Sequence, residues 1–110
     1  MAQFTWIINK MDVMPLENGL TNVVKVIHWE RSSTIKMNGE NVCSYGKLKC
    51  ETPTKENFTS YENITYEQVC VWLNSGLNVK AIDFELQVDI YNLMNGYIVN
   101  LPLPFTNPTI

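Results

Sequence analysis

Few residues in this chain have types that could do chemistry: the single histidine His28, the cysteines Cys43, Cys50 and Cys70, and the carboxylates Glu85 and Asp89. A cysteine nucleophile needs a base within hydrogen-bond reach. A hairpin folded at residues 38 to 41 could bring Cys43 towards His28, which sits in an alternating stretch beside Trp29. No third orienting residue and no oxyanion motif accompanies the pair, so a structural histidine is the better reading. The cysteines lack CxxC spacing and have one histidine to help them, which argues against a zinc site and for small buried side chains in a reducing compartment. Glu85 and Asp89, four apart, would share one helix face, and without further ligands that face reads as solvated. The glycines at 19, 39, 46, 76 and 96 are isolated, so no phosphate loop is assembled. The expectation is a protein that is not an enzyme and needs no cofactor, with a Cys43/His28-dependent enzyme as the weakest alternative.

What must position such residues is one domain. The 110 residues are 45% hydrophobic, enough for one core and too few for two. Apolar runs are short and the opening "MAQFTWIINKM" lacks a basic n-region and an extended apolar stretch. Neither a membrane span nor a signal peptide is expected, and "NFT" at Asn57 and "NIT" at Asn63 read as chance matches to the glycosylation pattern. The net charge of −3, with no basic cluster beyond Lys47 and Lys49, argues against nucleic acid. Its distribution is uneven. Residues 1–50 carry six basic and four acidic groups, residues 51–110 two basic and seven acidic. Opposite halves of this kind could steer copies head to tail, or be two solvated faces.

The period-2 patterning predicts strands first. In "FTWIINKMDVMP" Phe4, Trp6 and Ile8 point one way and Thr5, Ile7 and Asn9 the other, with Pro15 as the end. Asn18-Gly19 supplies a turn, and "TNVVKVIHWERS" then sets Val23, Lys25, Ile27 and Trp29 against Val24, Val26 and His28. Asn38-Gly39 turns a third segment back, giving an antiparallel β-meander of three to four strands over residues 1–50. The polar stretch 51–63 reads as a crossover loop to a helical part at 64–96. There Thr65 with Gln68 makes a capping box, Val69, Trp72 and Leu73 share a face, and Gly76 suits the left-handed C-terminal position. Residues 79–95 fit two templates. Ile82, Phe84, Leu86, Val88 and Ile90 alternate as in a strand, while Val79, Ile82, Leu86, Ile90 and Leu93 form a helical seam between Asn78 and Asn95-Gly96. As a helix this segment carries Phe84, Val88 and Tyr91 on the face opposite the seam, and that face needs a second partner. The aromatics Trp6, Trp29, Trp72, Phe4, Phe84 and Phe105 are read as core rather than as a stacking platform. The fold class is α+β, a single domain with two helices packed on one face of the meander and an extended tail at 97–110.

That tail, "LPLPFTNPTI" from residue 101, is apolar where a disordered tail is polar. Its prolines forbid a helix, so residues 97–105 are expected to run extended across the molecule's own sheet or a neighbouring chain. The candidate interface is Phe84, Val88, Tyr91, Leu101, Leu103 and Phe105. In order along the chain, "FTWIINKMDVMP", "VIHW", "TYEQVCVW" and "LPLPF" resemble a group of small proteins encoded by tailed bacteriophages. The resemblance covers both ends and the helices but little of residues 31–60. It implies a helix for residues 79–94. It also implies a virion structural protein, made in the bacterial host cytoplasm and built into the particle as capsid decoration, head-to-tail connector or tail component. Its partners would be other virion proteins or copies of itself, oligomeric in the particle. The alternative is a phage factor outside the virion that binds a host protein.

Overall fold

Asn18 and Gly19 both adopt positive φ, 51° and 80°, the signature of the two-residue turn whose twist matches that of paired strands. The computed structural model describes residues 3–37, 39–95 and 101–109. In it the turn joins β1 (Phe4–Glu17) to β2 (Leu20–Met37), and β3 (Glu40–Lys49) returns along β2. The sheet is an antiparallel meander in the order β1-β2-β3, as the patterning predicts. Of the second turn, Gly39 has φ 84°, while Asn38 lies outside the described residues.

Pro15 does not end the first strand; β1 runs through it to Glu17. A two-residue hairpin makes Glu17 and Leu20 the mutually hydrogen-bonded pair, so the backbone of Pro15 is turned inwards. The residue facing it is Asn22, held at φ 52°, and that pair is missing from the register. With no N–H to give inwards, Pro15 leaves the ladder open at that one position, and pairing resumes on either side of it.

Two bulges correct the expected alternation. Asn9 is an extra residue on β1 and Lys25 an extra residue on β2. Each shifts the side-chain parity by one. Trp6 and Ile8 therefore share a face with Met11 and Val13, and Val24, not Lys25, joins Ile27 and Trp29 in the central cluster, while Val23 is buried outside that cluster. A third irregularity sets Ser33, Thr34 and Ile35 of β2 against Val42 of β3. Buried Ser33 holds it: its hydroxyl donates to the Ile35 carbonyl (2.6 Å) and accepts from the Val42 amide (3.0 Å), and Asn41 Nδ2 donates to the Ser33 carbonyl (2.7 Å).

The crossover 51–63 contains two single 3₁₀ turns, Lys55–Asn57 and Tyr61–Asn63, before α1 (Tyr66–Gly76) and α2 (Val79–Asn95). The Thr65 hydroxyl accepts from the Gln68 amide (3.2 Å), but the Gln68 side chain donates to Thr59 (2.9 Å), so only half of the predicted capping box forms. Gly76 is not in the left-handed conformation. It closes α1 as a helical residue, and its missing side chain admits Leu48, whose Cδ1 would lie 2.9 Å from a Cβ there. Asn78 caps α2 by accepting from the Ala81 amide (3.1 Å). Residues 79–95 are thus helix, and Gly96, expected as the stop, lies outside the described residues.

Both helices lie on the inner face. Val69 and Leu73 of α1 are buried with Trp6, Val24, Ile27 and Trp29, and Val79 and Ile82 of α2 pack against this cluster. The Trp6 and Trp29 rings meet edge to face at 5.5 Å, and the Trp6 indole donates to Asn74 of α1 (2.9 Å). Trp29 lies over Gly46 of β3, where a Cβ would come within 2.4 Å of its ring. Arg31 stacks over Trp6 at 4.5 Å and reaches Asp83 of α2 with two hydrogen bonds of 2.9 and 3.1 Å.

Candidate functional site

The residues with chemical potential are kept apart by strand register. Cys43 pairs with Ser32, and His28 pairs with Lys47, four positions further along β2. Four residues of strand span about 13 Å, out of reach for a Cys–His pair. His28 Nε2 instead donates to Asp12 Oδ2 at 2.7 Å, and this bond holds the Asp12 carboxyl below its ordinary value. The Cys43 thiol and the Tyr45 hydroxyl are hydrogen-bonded to each other (3.3 Å), and this bond together with the neighbouring negative charge at Cys43 and Glu30 pushes the Tyr45 phenol up. Burial raises the Cys50 thiol, moving it away from the reactive thiolate. Glu85 and Asp89 are exposed on α2. Among the described residues no group of three or more His, Cys, Asp or Glu side chains could hold a metal ion. Among them, too, no helix is long and apolar enough to cross a membrane.

The six candidate interface residues are all exposed. On α2 the seam Leu86 and Ile90 is buried, and on the other face Phe84 (69% exposed), Val88 (37%) and Tyr91 (58%) stand out. Leu93, expected in the seam, is exposed, so the buried stripe ends at Ile90. In the tail Leu101 (74%), Leu103 (61%) and Phe105 (60%) touch little of their own molecule. The assignment of Phe84 and Phe105 to the core is therefore corrected: Phe84 is on the side of α2 opposite the buried Leu86 and Ile90, and Phe105 is in a tail that is exposed throughout residues 101–109. Of the segment expected to run extended, residues 97–100 lie outside the described residues, and 101–109 carry no strand or helix.

The shape agrees with the side chains. The radius of gyration is 18.1 Å, against about 13 Å for a compact domain of this length. The accessible surface is 8276 Å², against roughly 6,200 Å² for a compact monomer of 12.7 kDa. The excess, about 2,000 Å², is surface that a compact fold of this length would have covered.

Two features escape a reading of the sequence. The outer face of the sheet carries Ile7, Met14 and Leu16 on β1 and Tyr45 on β3, all exposed. The alternation of Met14 and Leu16 around Pro15 is a usable signal, hidden because the proline suggests a strand end. The second is a cleft of about 620 Å³ between the crossover and the end of α1, lined by Val24, Leu48, Cys50, Phe58, Ile64 and Trp72 among others. The crossover is tied down beside it: Lys25 Nζ donates to Glu17 (2.9 Å) and Thr52 (2.9 Å), and the Thr52 hydroxyl donates to Glu17.

No curated protein and no solved structure matches the chain. The chain belongs to the DUF7936 family, described as a domain of unknown function, which matches residues 1–105.

Proposed function

We propose that this DUF7936 domain is a structural component of a tailed-phage particle, made in the bacterial cytoplasm, that acts through contacts with other virion proteins or copies of itself. Capsid decoration, a head-to-tail connector and a tail component all fit. The observation that carries the reading is the apolar surface left after the fold has closed. Phe84, Val88 and Tyr91 form one exposed stripe, and Leu101, Leu103 and Phe105 form a second. Exposed patches of this kind mark interaction surfaces in soluble proteins. The resemblance of the sequence landmarks to small phage proteins supplies the setting. Neither stripe needs a bound small molecule, and the reactive side chains lie apart from one another.

Mass spectrometry of purified particles with copy counting tests this. Stoichiometric presence is the expected result. Absence from particles, together with capture of one host enzyme by the tagged protein from infected cells, would overturn it in favour of a host-directed factor.

A further inference from the structure

The prolines of the tail occupy alternate positions, Leu101-Pro102-Leu103-Pro104-Phe105. In an extended strand the N–H and C=O of every second residue point to the same side. One edge of this segment therefore offers three complete donor–acceptor residues, and the other has lost both of its donors to proline. Such a strand can pair on one side, and once paired it leaves a poor template for further pairing. The same alternation sends Leu101, Leu103 and Phe105 to one face.

The structure holds an acceptor of matching pattern. β1 is an edge strand with β2 on one side only. Because Glu17 and Leu20 form the mutually bonded pair next to the turn, Leu16 and Met14 turn their N–H and C=O outwards. Pro15, the residue without a donor, faces inwards and leaves the open edge intact. The side chains of Met14 and Leu16 are exposed on the outer face, two residues apart, the spacing of Leu101 and Leu103. In an antiparallel pair, directly opposed residues lie on the same face, so hydrogen bonding and apolar contact demand the same register.

We propose that residues 101–105 of one copy add as an antiparallel fourth strand to the β1 edge of a second copy, with Leu101 and Leu103 opposite Leu16 and Met14. This rests on the assembly reading above and names its contact. The occupant is a second copy: the main sheet contacts of α2, which precedes the tail, are with β2 and β3 rather than with the β1 edge. Among the described residues, moreover, 101–109 make no backbone hydrogen bond to their own sheet. A tail-to-edge junction is heterologous: each copy gives one arm and receives one, so repetition builds a ring or a row.

Sedimentation velocity of the full-length protein over a wide concentration range tests the proposal. Leu103→Pro removes the central donor while keeping the tail apolar, and should weaken association about tenfold or more. Pro104→Ala should retain it. Met14→Lys with Leu16→Lys, both at exposed positions, should also give monomers, with circular dichroism showing the fold retained. The decisive step is mixing: the tail variant and the edge variant, each monomeric alone, together form one good junction and should yield a 1:1 dimer. Unchanged association of Leu103→Pro, or a mixture that stays monomeric, would overturn the proposal. If association survives Leu103→Pro but is lost in Phe84→Asp, the tail contact is wrong and assembly through α2 stands. A wild-type chain that stays monomeric throughout overturns the tail contact, while the particle measurement still decides the function.

Discussion

Leu73 and Leu103 are the same residue in opposite circumstances. Leu73 on α1 is fully buried between Ile27 and the tryptophans of the sheet, whereas Leu103 in the tail is mostly exposed. The inner face of the meander carries the free energy of folding, and the tail, the outer stripe of α2 and the outer face of β1 carry apolar area that folding does not use. A change on the inner face should register as stability, and a change on the outer surfaces as association. Each prediction below can break that division.

The largest effect is expected for Leu73→Ala, which opens a cavity in the core and should cost about 2 to 5 kcal/mol in urea denaturation. Leu103→Ala should leave the same midpoint unmoved, within about 0.5 kcal/mol. Equal shifts in the two would erase the contrast. Next comes Gly46→Ala. Its Cβ would collide with the Trp29 indole, and overpacking of this kind should lower stability by about 1 to 3 kcal/mol. Retained stability would mean that Trp29 can leave its seat. Thr65→Ala removes the hydroxyl that caps α1 and should cost about 1 kcal/mol, read from the thermal midpoint.

The pH dependence should be smaller still. Asp12 is held below its ordinary 3.8 by the His28 hydrogen bond, and Glu17 below 4.5 by Thr52 and Lys25. A carboxyl whose folded value is depressed adds stability above its unfolded value and loses it as the pH falls through the folded one. Stability should therefore be level with respect to these two groups above about pH 5 and decline below their ordinary values. In Asp12→Asn the acid decline should be shallower, measured by urea midpoints across the acid range. Smallest of all on stability is Phe84→Asp, within about 0.5 kcal/mol, because the side chain touches solvent. A larger loss would place Phe84 in the fold rather than on a contact surface.

Local chemistry made much of the fold legible. Asn18-Gly19 has the backbone freedom that a two-residue hairpin demands, Thr65 and Asn78 are caps, and the period of the apolar residues marks one face of each helix. The exposed stripe Phe84, Val88 and Tyr91 was legible on the helical wheel once residues 79–95 were taken as helix. The bulges at Asn9 and Lys25 were not. A bulge is a choice made by two strands together, and neither residue type announces it, so Val24 was assigned to the wrong face. Gly76 and Pro15 misled for a related reason. Each was read for its own backbone preference, while the structure uses Gly76 to make room for Leu48 and carries the strand through Pro15 by leaving one pair of the ladder open. The separation of His28 from Cys43 follows from the register of β2 against β3, which the sequence left open until the turn and the irregularity at Ser33 were in place.

Amide hydrogen exchange on the full-length chain, compared between dilute and concentrated solution, tests the division most directly. Protection of Leu101, Leu103 and Phe105 in the tail and of Met14 and Leu16 on the β1 edge should rise with concentration, while Ile27 and Leu73 stay equally protected throughout. Identical exchange at both concentrations would contradict the account, since the surface that folding leaves uncovered would then stay uncovered when copies meet.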